Sequence, residues 1–131
     1  MERARLVSNL VAAGFGLFTL ALGIWAIVDT TSFYDNIAEF PPYNRHFLHD
    51  VGAFQIAVGA GLLFALIWQG DAVLAALGGA AVGGTAHWIA HVVDEDLGGR
   101  SSDPYALGVV ALLLAVAFLW RLFAGQETRR Y

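Results

Sequence analysis

The chain places all four of its histidines in two short stretches, "NRHFLHD" at 44–50 and "TAHWIAHVVDED" at 85–96. Imidazole is the commonest metal ligand among side chains, and two of them four residues apart on a helix can hold one ion from a single face. His87 and His91 have that spacing, and Asp94 follows within a turn. His46, His49 and Asp50 form the other group. With Asp50 and Asp94 as ligands or orienters, the set suits Zn, Fe, Cu or Mn. His49 and His91 alone suit the axial positions of a haem. Two readings without a metal also fit these residue types. Alternating His and Asp can relay protons or hold a polar headgroup, and ionisable groups inside a membrane are costly and usually functional. The same residues can also simply tie two helices together by hydrogen bonds.

The elements that carry them are apolar. The sequence is 58% hydrophobic and 14% charged, far from a soluble domain, and it has no cysteine, which excludes disulfides and thiolate chemistry. No basic stripe with interleaved aromatics is present, so nucleic acid is not an expected partner. A spanning helix needs roughly 20 apolar residues. Four segments qualify, at about 6–28, 46–68, 72–93 and 104–123. Asp103 reads as the N-cap of the last, with Pro104 at its first position. The apolar stretch of the first is too long for a cleavable leader, so it reads as a retained helix. These segments are expected to make one transmembrane domain over 1–131, an all-α, multi-pass four-helix bundle of the cell (plasma) membrane.

Orientation follows from the basic residues. Arg3, Arg5, Arg121, Arg129 and Arg130 lie at one end, and Arg45 and Arg100 at the other. The excess marks the cytoplasmic side, so both termini are expected there. Most of the acids, including Asp29, Asp35, Glu39, Asp94, Glu95 and Asp96, fall on the outer side.

The link "QGD" between the second and third segments is short enough to force an antiparallel hairpin. With its midpoint near Gly70, His49 stands level with His91, His46 with Asp94, and Asp50 with Ala90. Gln55 stands level with Thr85 and reads as a partner for it across the hairpin, and Asn9 and Thr19 also read as interhelical glue. His46, His49 and Asp50 span about 100° of one helix, and His87, His91 and Asp94 about 60° of the next. The two clusters are therefore expected to converge as one inward-facing site.

The outer loop at 29–45 has Phe33, Ile37 and Phe40 at helical spacing. A short interfacial helix capped by Thr31 or Ser32 and stopped by Pro41–Pro42 is expected there. Glycines recur inside the apolar runs. Gly79 and Gly83 form a small-xxx-small pair, read mainly as packing within the bundle.

The four glycine-rich helices, the long first outer loop and the second helix "NRHFLHDVGAFQIAVGAGLLFALIW" resemble the small four-helix bacterial membrane proteins called DoxX-like. That resemblance implies links to respiratory or redox complexes. It transfers no site residue, because the histidine clusters are not a pattern of the group. The expected function is binding of a metal ion or haem at the outer ends of the second and third helices, on His46, His49, Asp50, His87, His91 and Asp94. The alternative is an accessory subunit of a larger membrane complex, with the cluster as a structural or proton-handling site. Expected partners are the lipid bilayer and a homo-oligomer or larger complex, and whether the chain is an enzyme stays open.

Overall fold

A computed structural model describes residues 2–68, 71–94 and 96–127. The Gln69–Gly70 link, Glu95, Arg129 and Arg130 lie outside the described residues. The chain is helical, in the order α1 (Glu2–Val28), α2 (Thr30–Asn36), α3 (Arg45–Trp68), α4 (Asp71–Val93) and α5 (Asp103–Glu127). The four long helices are each long and apolar enough to cross a membrane.

Local chemistry sets the helix starts. The Asp29 carboxylate accepts the backbone N–H of Ser32 (3.2 Å), so α2 is capped two residues before the expected Thr31. Asn44 Oδ1 accepts the N–H of Phe47 (3.1 Å) and its carbonyl that of Leu48 (3.1 Å), which makes Asn44 the cap of α3. At α5 the Ser102 carbonyl accepts the first helical N–H, from Ala106 (3.1 Å). Asp103 is therefore inside the helix, and its carboxylate reaches back to the N–H of Arg100 (2.9 Å). The α2 helix ends at Asn36, well before the prolines. Phe33 is buried against Ala26 and Leu48, whereas Ile37 is 40% exposed, so the expected common face of Phe33, Ile37 and Phe40 does not form.

Packing divides the bundle into two pairs, α1 with α3 and α4 with α5. The α1–α3 seam is backbone against backbone. A Cβ on Gly16 would stand 3.2 Å from Gly59 O, and one on Gly59 2.6 Å from Gly16 O. In lipid, helices gain nothing by hiding apolar surface from each other, so close van der Waals fit between small residues decides which helices pair. The α4–α5 seam instead sets glycines against large side chains, with Gly78 under Phe118, Gly84 against Leu114 and Gly108 against Trp88. Gly79 and Gly83, expected to pack within the bundle, face open space.

The two pairs meet at the end that carries both termini. Ala12, Leu62, Ala80 and Ala117, one from each long helix, are buried together with Val73, Leu77 and Leu114. At the opposite end, which carries α2, the second buried cluster contains only Ala26, Phe33 and Leu48. On α4 the buried residues are Val73, Leu77, Ala80 and Ala81, all in its first half.

Candidate functional site

The residues that should continue the core toward the α2 end can be read a heptad along each helix. Seven residues turn an α-helix through nearly two full revolutions and advance it about 10.5 Å. From the layer Ala12, Leu62, Ala80 and Ala117, that step leads to Thr19, Gln55, His87 and Val110. Thr19 is buried and donates its hydroxyl to the Phe15 carbonyl (2.9 Å). Gln55 and Val110 are half-buried and His87 is exposed. The buried apolar core thus ends at this layer, where three of the four side chains are polar and the flank of α4 beyond it is largely exposed.

Above His87 stands a polar unit. His87 Nε2 and His91 Nε2 are 3.1 Å apart, so one imidazole donates a proton to the other. The other ring nitrogen of His91, Nδ1, lies 3.9 Å from Asp103 Oδ2 on α5. The Phe40 ring meets His91 edge-on, with centroids 5.4 Å apart.

Phe40 belongs to a roof made by the two connectors at this end. Gly99 donates its N–H to the Glu39 carbonyl (3.0 Å), and the Arg100 guanidinium reaches the Asp35 carbonyl (3.4 Å). Gly98 and Gly99 have φ of 135° and 82°, a region that side chains rarely adopt, and a Cβ on Gly99 would stand 2.7 Å from the Phe40 ring. A small cavity of about 120 Å³ lies beside this roof, lined by His91, Gly98, Gly99, Arg100, Ser101 and Pro104.

The expected single site on α3 and α4 does not form. His46 is almost fully exposed and sits 3.7 Å from Asp50 one turn along its own helix. His49 pairs through Nε2 with Thr30 Oγ1 of α2 (2.9 Å). Asp94 is exposed, and its side chain joins neither histidine pair. Only His87 and His91 come together as their spacing predicts, and their third partner is Asp103, not Asp94. Among the described residues no three His, Cys, Asp or Glu side chains are grouped to hold a metal ion. The reading of a metal- or haem-binding protein on His46, His49, Asp50, His87, His91 and Asp94 is therefore overturned. The cause is the pairing of the helices: α3 turns His49 to Thr30 of α2 and leaves His46 exposed, and α4 brings His91 to Asp103 of α5.

Gln55 and Thr85 do not bond across the hairpin either. Thr85 donates to the Ala81 carbonyl of its own helix (2.8 Å), and the Gln55 amide makes no hydrogen bond with the described residues.

The opposite end holds a polar contact that charge counting concealed. Arg121, read from sequence only as a marker of orientation, is 9% exposed. It donates through Nη1 to Ser8 Oγ (2.7 Å) and Asn9 Oδ1 (2.8 Å) of α1. The Ser8 hydroxyl passes the chain on to the Arg5 carbonyl (3.0 Å). This contact fastens the two helix pairs where the core is closed, and Asn9 does act as the interhelical glue its type suggests. The signal in the sequence was an arginine within the last apolar segment, two residues before its end, where a charge must find a partner or reach water.

No family model, curated protein or solved structure matches the chain.

Proposed function

We propose that this chain is a multi-pass protein of the cell membrane that binds an amphiphile, a lipid of the leaflet at the α2 end, in the cleft between its two helix pairs. The α2 end faces outward and both termini lie in the cytoplasm, as the arginine distribution favours. The acyl chain lies along the apolar walls of the cleft. The polar head reaches His87, His91 and Asp103 under Phe40. The observation that carries this reading is the layer Thr19, Gln55, His87 and Val110. A bundle that served only to fold would continue its apolar core through that layer. Here a half-buried amide without a partner among the described residues and an exposed imidazole replace the core inside a spanning segment. Apolar walls with a few convergent polar groups are the usual form of a small-molecule site. The roof closes the cleft from the aqueous side, so access is lateral, from the bilayer.

Native mass spectrometry of the full chain in mild detergent tests this. Retention of one lipid per chain is expected, with its loss in the double variant Gln55→Leu with His87→Phe, which fills the cleft with apolar side chains. Wild-type protein that keeps no lipid beyond detergent-exchangeable levels sinks the reading. So does a double variant that folds and retains lipid as the wild type does.

A further inference from the structure

The site also constrains the head of its occupant. We infer that the head is a primary ammonium, carried by an amine-bearing lipid and held by Asp103. This rests on the reading of the cleft as an amphiphile site.

Asp103 is the first residue of α5 and of its apolar candidate span, which on this reading sets it at the headgroup region. Its side chain is 19% exposed. Oδ2 accepts the N–H of Arg100 and faces His91 at 3.9 Å, beyond hydrogen-bond reach. Oδ1 accepts nothing among the described residues. A mostly covered carboxylate with one open oxygen, at headgroup depth, is complementary to an N–H cation, because charge-assisted hydrogen bonds are roughly twice as strong as neutral ones.

The surroundings agree in sign. Asp94 and Asp96 on one connector, and Asp35 and Glu39 on the other, are exposed acids at this end. Among the described residues the cations there are Arg45 and Arg100, and the Arg100 guanidinium reaches the Asp35 carbonyl. An anionic head would meet this acidic surplus. A zwitterionic head with its ammonium on Asp103 brings its phosphate to the cavity beside Arg100 and Ser101. A water-borne amine fits less well, since the Gly99–Glu39 and Arg100–Asp35 contacts cover the site from above, whereas the flank of α4 from Val82 to Ala90 lies open to lipid.

The test uses the full chain in detergent and lipids with brominated acyl chains, read by quenching of the chain's own tryptophans; Trp88 lies against Gly108, beside the site. Three heads are compared on identical chains: a primary amine, its trimethylated form, and an anionic glycerol. The amine lipid is expected to half-saturate at about tenfold lower mole fraction than either other head. Asp103→Asn, which keeps the size of the side chain, is expected to bring the three within about twofold of one another. Saturable quenching that is alike for all three heads in the wild type overturns the assignment of the head and leaves the cleft reading standing. Retention of the preference in a folded Asp103→Asn variant overturns the role of Asp103. No saturable quenching by any head overturns the cleft reading itself. The headgroup series on the wild type decides the matter even where the variant does not fold.

Discussion

Gly23 of α1 and Gly52 of α3 lie backbone against backbone: a Cβ on Gly23 would stand 2.6 Å from Gly52 O, and one on Gly52 2.9 Å from Gly23 O. With Gly16 and Gly59 one heptad away, this contact fixes α1 to α3 and leaves α4 to pair with α5. Everything at the candidate site follows from that choice of partners.

Gly23→Ala and Gly59→Ala should each destabilise the bundle by about 1–3 kcal/mol, because the added methyl meets backbone that cannot move aside. Gly79→Ala and Gly83→Ala face open space and should be neutral, or stabilising by up to about 1 kcal/mol through helix propensity. Unfolding in mixed detergent checks the contrast. Equal effects at all four positions would show that the α1–α3 seam is not the tight one.

Replacing Ser8 or Asn9 with alanine removes one acceptor of the buried Arg121 and should cost about 1–3 kcal/mol. A double-mutant cycle between Ser8→Ala and Arg121→Met should show coupling, because the two residues touch. Strict additivity in the cycle would mean that the contact contributes nothing.

The histidines should behave in three different ways, not as one ligand set. His46→Ala should leave stability unchanged, since its pairing with Asp50 is exposed. His49→Ala should cost about 1 kcal/mol and loosen α2, which loses the bond to Thr30. His87→Ala should alter the ring-nitrogen NMR signals of His91 and leave those of His49 in place. A common, equal loss on replacing each histidine would restore the single-site view.

The chain has no cysteine, so single cysteines report topology without background. A cysteine at His46 or Ser101 should react with a membrane-impermeant thiol reagent added to intact cells, and one at Glu2 only after the membrane is opened. The reverse pattern would invert the orientation proposed from the arginines.

Much of the fold was legible in the sequence because it rests on local properties. Apolar length predicts the four spanning helices, and a polar residue at each start predicts a cap, although the caps proved to be Asn44 and Asp29, and of Phe33, Ile37 and Phe40 only Phe33 is buried. The spacing of His87 and His91 brings them together, since neighbours on one helix need only that helix. The sequence did not determine which helices pair. In lipid no difference in apolarity ranks the possible partners, so the choice falls to surface fit, and the fit of Gly16 and Gly23 to Gly52 and Gly59 exists only once both backbones are placed. That tertiary choice turned His49 to Thr30, gave His91 the company of Asp103, drew Arg121 inward to Ser8 and Asn9, and left Gln55 half-buried and His87 exposed at the layer where a core would otherwise continue.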